Sequence, residues 1–106
     1  MAFVRIVSAD EEGIKKALAS YAEELKKKEK VEAVYLCGSW AKGTYTPYSD
    51  VDLLIVVKED PRSPRDRLPA YLPARFPVSL DLFVYTKEEL AENAFARRLL
   101  AEAVRL

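Results

Sequence analysis

The sequence predicts a small α/β (α+β) domain: a mixed β-sheet of three to four strands flanked by two main helices. Three observations carry this. Val31 to Cys37, residues 50–57 and Val78 to Val84 are apolar runs of strand length, rich in Val, Ile and Leu. Ile14, Ala17, Leu18, Tyr21, Ala22 and Leu25 recur at helical spacing with charges on the other face. Thr86-Lys87-Glu88-Glu89 is a capping box opening a second helix expected to run to about Arg105. At 106 residues the chain is expected to form one domain, residues 1–106, with one core.

Taken in order, Phe3 to Val7 reads as a short strand, and Ser8-Ala9-Asp10-Glu11 as the capping box of the first helix. The lysines at 26, 27, 28 and 30 suit the negative end of that helix and read as a solvated terminus. The first strand follows and stops at Gly38-Ser39. After a short turn and the loop from Gly43 to Pro47, the second strand begins at Asp50. It is apolar almost throughout beyond its acids, as a strand covered on both faces should be. Residues 58–77 hold five prolines, which break any long helix, although Ser63 with Pro64 can open a short one. The segment reads as a surface excursion carrying Arg62, Arg65, Arg67 and Arg75. In the final helix Leu90, Ala94, Phe95, Leu99 and Ala103 are the inward candidates.

Composition sets limits. Lys+Arg and Asp+Glu stand at 17 each, so no net charge favours tight non-specific nucleic-acid binding. The chain has no histidine, which excludes imidazole catalysis and His-ligated zinc from its own residues. The lone Cys37, at the end of an apolar run, reads as a buried thiol. No run approaches a membrane span and no signal pattern opens the chain, so a cytoplasmic protein is expected. Gln is absent and Asn appears once, a weak sign of a thermophilic source.

The chemistry gathers between the first two strands. Residues i and i+2 of a strand share a face, so Asp50 and Asp52 project together beside a small polar loop. Like charges that close cost free energy unless a cation or a shared proton offsets them. A hard divalent ion, Mg²⁺ above all, answers that need and brings substrate phosphates with it. Gly38 and Ser39 offer backbone N–H groups and a hydroxyl suited to phosphate oxygens. Asp81 is an acid inside the third strand, flanked by Leu80 and Leu82. It either faces solvent or an arginine, or it joins the pair as a third carboxylate if the strands are neighbours. Lys42 reads as a solvated lysine or a phosphate contact, and Ser49 as a turn residue or a further phosphate contact. Trp40 is expected to pack on the sheet edge. Tyr45 and Tyr48 are open to turn packing or to base stacking.

Gly38-Ser39, ten residues, then Asp50-Val51-Asp52-Leu53 resembles the signature of the DNA polymerase beta-like nucleotidyltransferase superfamily, and the length is similar to its minimal, MNT-type members. Asp81 sits where that family keeps its third carboxylate. The resemblance covers roughly residues 10–105. It implies that Gly38 and Ser39 hold the β- and γ-phosphates of a nucleoside triphosphate, that Asp50 and Asp52 bind two Mg²⁺ ions, and that Asp81 completes the second metal site and helps to deprotonate the attacking hydroxyl. Two departures stand out: Lys42 occupies a position that is often arginine, and the proline-rich segment replaces what is often a cleaner helix.

Small members of that family resemble the antitoxin half of a pair whose other half is a helical HEPN-domain protein. The resemblance implies transfer of AMP from ATP to a hydroxyl of that partner. The alternative is a non-catalytic module that neutralises its HEPN partner by occlusion. Transfer to RNA 3′ ends is disfavoured by the neutral charge and by the length. So small a domain is expected to borrow part of its acceptor site from a partner or a second copy, and its thinly covered sheet edge and helix faces leave room for a homodimer.

Overall fold

The computed structural model describes residues 11–46 and 49–106, so the expected strand at 3–7 and most of the first capping box lie outside the described residues. The chain runs α1 (Glu11–Lys26), β1 (Val31–Cys37), α2 (Gly38–Lys42), β2 (Val51–Val57), α3 (Pro64–Arg67), a 3₁₀ turn (Leu68–Ala70), β3 (Leu80–Thr86), α4 (Lys87–Glu92), α5 (Ala94–Ala101) and β4 (Val104–Arg105). The sheet order is β3-β2-β1-β4. β1 is antiparallel to both of its neighbours, and β2 and β3 run parallel. The mixed sheet follows from this one parallel pair.

β2 is central and covered on both sides. Leu53, Ile55 and Val57 pack with Ile14, Leu18, Tyr21 and Leu25 of α1, whereas Leu54 and Val56 pack with Ala33, Cys37, Tyr85 and Ala96 on the other face. The i, i+3, i+4 spacing of α1 supplies the first layer, with Ala17 partly buried beside it. Full burial of one such aliphatic side chain contributes about 1.5–3 kcal/mol. α4 and α5 cover the second face.

The C-terminal region differs from expectation. A single helix to about Arg105 is interrupted at Asn93, whose backbone is extended (φ −95, ψ 116) and whose side chain accepts a hydrogen bond from the Ala96 N–H. Asn competes with the helix for its own backbone in this way, and here it ends one helix and caps the next. The break resets the helical phase. Ala96 becomes the fully buried residue, whereas Phe95 and Ala94, both inward candidates, are exposed. Beyond α5 the chain forms β4 on the free edge of β1, pairing Arg105 with Tyr35 and Val104 with Leu36. The capping box at Thr86 forms as expected: Glu89 N–H donates to the Thr86 hydroxyl and the Glu89 carboxylate accepts from Thr86 N–H.

The proline-rich segment opens a short helix at Pro64, capped by Ser63, as its sequence suggests. It is more than a surface excursion, however. Tyr71, Phe76 and Val78 are buried in the core, and Arg67 is 2% exposed. The Arg67 guanidinium donates to the carbonyls of Val84 (3.1 Å) and Asp60 (2.7 Å) and forks onto both oxygens of Glu89. Its hydrogen bonds hold the Glu89 carboxyl below the usual carboxylate range. One side chain thus fastens the excursion to β3 and to the first turn of α4. Removing Arg67 leaves the buried carbonyls of Val84 and Asp60 and the partly buried Glu89 carboxylate without their donor, at a cost of about 3 kcal/mol. Arg67→Ala is therefore expected to lower stability by about 3 kcal/mol, while Lys15→Ala, which removes only an exposed pair with Glu11, is expected to leave it almost unchanged. Urea unfolding reads the difference, and equal midpoints for the two variants would contradict the clamp.

Candidate active site

Because β1 is antiparallel to β2 while β2 and β3 are parallel, the end of β1 meets the beginnings of β2 and β3 at one end of the sheet. Cys37 is opposite Asp52, and Asp52 is opposite Asp81. Both acids lie on the face that α4 and α5 cover, in step with Leu54 and Val56 on β2 and with Phe83 and Tyr85 on β3. The Val51 N–H donates to Ser79 O at 2.9 Å, which fixes the mouths of the two strands together. Asp50 is exposed at the entry to β2.

The electrostatics follow from this placement. The Asp52 carboxyl is pushed up to about 6, first by burial, then by the charge of Asp81, by a hydrogen bond with Asp81 and by the charge of Asp50. Asp52 and Asp81 therefore meet as a coupled pair, with Asp50 acting on them as a nearby negative charge. Among the described residues, no three His, Cys, Asp or Glu side chains are drawn together tightly enough to hold a metal ion in the arrangement seen. The donors nonetheless fit a hard cation: they are all carboxylate oxygens, they repel one another, and a divalent ion would relieve that repulsion.

Gly38 forms the opposite wall. Its φ of +65 lies in the left-handed region, and a Cβ built there would collide with Asp52 Oδ2 and lie 3.2 Å from Asp52 Cγ. Only a glycine lets the backbone pass this close to the carboxylate. Ser39 follows, partly buried, in the first turn of α2, where no side chain of Cys37 caps the helix. α2 closes at Gly43, also left-handed at φ +76, with its N–H on Ser39 O.

Trp40 packs, as its sequence position suggests. It is 5% exposed, stacks on Tyr45 at 3.9 Å and 4°, and donates from Nε1 to Ser49 O at 3.1 Å. Tyr45 in turn donates from its hydroxyl to Glu11. Ser49 closes a turn: its N–H donates to Thr46 O, and its hydroxyl accepts from Thr46 N–H at 2.8 Å. Its placement is that of a turn residue holding the approach to Asp50. Tyr48 lies outside the described residues. Cys37 is free and buried, and burial with the nearby Asp52 charge pushes its thiol up to about 11, so it is inert at neutral pH.

Lys42 points elsewhere than at the acids. Its Nζ pairs with Glu102 Oε2 at 2.7 Å, across a cleft of ≈ 310 Å³ between α2 and α5 that Gly38 and Arg98 also line. Arg98 and Glu102 were not singled out from sequence. Their placement depends on the break at Asn93, and only the Asn within a run of helix formers hints at it.

The two glycines separate cleanly by their surroundings, since a Cβ at Gly43 meets nothing within 4 Å. Gly43→Ala is expected to cost about 1–2 kcal/mol from its φ alone, and Gly38→Ala at least about 1–2 kcal/mol more because the carboxylate must also move. Denaturant midpoints for the two variants check this. Equal losses would contradict the close approach.

The nucleotidyltransferase domain family matches residues 18–104. A protein of Methanocaldococcus jannaschii, provisionally named a protein adenylyltransferase, is 37% identical over 57 residues, 54% of this chain and 58% of that one. The chain therefore spans little more than half the length of this relative. A Sulfolobus solfataricus crystal structure, provisionally named a nucleotidyltransferase, superposes with a TM-score of 0.63 over 87% of this chain and 78% of the other, at 24% identity, and so shares the fold. With Gly38-Ser39, Asp50, Asp52 and Asp81 at one end of the sheet and the family match over most of its length, the chain belongs to the nucleotidyltransferase domain family.

Proposed function

We propose that the chain is an Mg²⁺-dependent nucleotidyltransferase that moves AMP from ATP onto a hydroxyl of a partner protein. The observation that carries this is the Asp52–Asp81 pair, set side by side by strand register and walled by the backbone of Gly38. Such a pair is costly to maintain in a protein that does not use it. The name given to the M. jannaschii relative supports an adenylyl group and a protein acceptor.

Asp50, Asp52 and Asp81 would hold the two Mg²⁺ ions, which when bound neutralise the carboxylates, activate the attacking hydroxyl and steady the leaving pyrophosphate. Ser39 and the amides of the first turn of α2 orient the β- and γ-phosphates. The acceptor oxygen attacks the α-phosphorus, the bond from that phosphorus to the bridging oxygen breaks, and pyrophosphate departs. Asp81, at the exposed beginning of β3, takes the proton from the hydroxyl and passes it to solvent. Little covalent work falls to the protein, which positions groups and offsets charge.

The partner proposed is a HEPN-type helical protein with the chain as its antitoxin, a reading that rests on the sequence resemblance. The test is a transfer assay with α-labelled ATP, Mg²⁺ and such a partner. Label is expected on the partner, falling by at least about a hundredfold with Asp50→Ala/Asp52→Ala. Tight binding of the partner without transfer from any of the four nucleotides would overturn catalysis in favour of occlusion.

A further inference from the structure

The cleft between α2 and α5 opens at the same Gly38 whose backbone lies against Asp52, so it adjoins the acid pair. Its volume of ≈ 310 Å³ is at the lower end of the roughly 300–1,000 Å³ of small-molecule sites. Its charged lining is two cations and one anion: Lys42, Arg98 and Glu102. Lys42 is committed to Glu102, but both side chains are more than half exposed, so the pair is weakly held. Arg98 makes no hydrogen bond or ion pair with any described residue. It is a guanidinium on an exposed stretch of α5, beside a site that carries a surplus of carboxylates. That combination suits a ligand that is itself anionic and arrives with cations, and it suits a polyphosphate better than a carboxylate because a guanidinium forks onto phosphate oxygens.

We infer that Arg98 is a further polyphosphate-positioning residue in the α2–α5 cleft, acting beside the candidate phosphate contact Lys42, with Glu102 holding Lys42 in place until the nucleotide arrives. The inference rests on the nucleotidyl-transfer reading and adds to it a positioning residue on α5, outside the Gly-Ser and Asp-x-Asp motif. When the triphosphate enters, Lys42 exchanges one anionic partner for another, and the cleft changes from one uncompensated cation to two that face phosphate. Discrimination follows: ATP gains from both cations, and AMP, lacking the outer phosphates, gains little.

Equilibrium binding of labelled ATP and AMP with Mg²⁺ and no acceptor tests this apart from catalysis. Arg98→Ala and Lys42→Ala are each expected to weaken ATP binding about tenfold while changing AMP binding little, and Arg98→Lys to recover only part of the loss. Glu102→Gln is expected to tighten ATP binding by about threefold, a gain that disappears when Lys42→Ala is also present. Arg98 is exposed, so its variants should unfold at the wild-type temperature. If Arg98→Ala binds ATP like the wild type while Asp52→Ala does not, the inference fails and the transferase reading stands. If the wild type binds no nucleoside triphosphate, both fail.

Discussion

The register between β2 and β3 is the constraint on which the site depends. It sets Asp52 directly opposite Asp81, and two carboxylates in that position repel. A slip of one residue would relieve them. It would also turn Leu53, Ile55 and Val57 from the α1 layer to the opposite face and expel Leu54 and Val56 from theirs. Both faces are buried, so all five apolar side chains would have to repack at about 1–3 kcal/mol for each misfit, and Asp52 would turn into the α1 layer; together these outweigh one strained carboxyl pair. The core therefore holds the acids together against their own charge. The fold supplies the energy, and the site takes up part of it as unrelieved repulsion.

A parallel pair also requires a crossover, and residues 58–79 provide it. This gives the proline-rich segment a role beyond that of a loop. Its prolines and short helices carry the chain from the end of β2 back to the start of β3, and Arg67 with Glu89 secures it at the far end of the sheet from the acids. At the near end, Trp40 does the corresponding work, bonding α2 to Ser49 so that Gly38 and Asp50 enter the site from fixed directions. The two anchors are separate, and Arg67 touches neither Gly38 nor the acids Asp52 and Asp81.

Much of this was legible in the sequence. Strand-length apolar runs located β1, β2 and β3 to within two residues, and the capping box at Thr86 located α4. The acids were legible because Asp is out of place in an apolar strand. The rest depends on tertiary contacts. Arg67 reads as a surface residue until its carbonyl and carboxylate partners, far along the chain, are seen around it. The break at Asn93 is a balance between helix propensity and a side-chain cap, and its outcome is decided by packing of Ala96 against β1 and β2. Because the phase of α5 follows from that break, neither β4 nor the cleft beside Lys42 could be read from periodicity.

On the proposed function Asp52 is a carboxyl under repulsion that a bound cation would relieve, and the pH dependence of stability reads that strain. A carboxyl raised from 3.8 to about 6 in the folded state binds its proton more tightly when folded. Its stabilisation is full below the ordinary value and is lost as pH rises through about 6. Thermal unfolding of the wild type and Asp52→Asn from about pH 4 to about pH 8, with and without millimolar Mg²⁺, isolates that contribution. Metal-free wild type is expected to lose stability relative to the variant as pH passes about 6, and Mg²⁺ to restore it in the wild type alone. Parallel curves for the two proteins across the range, with no response to Mg²⁺, would contradict it.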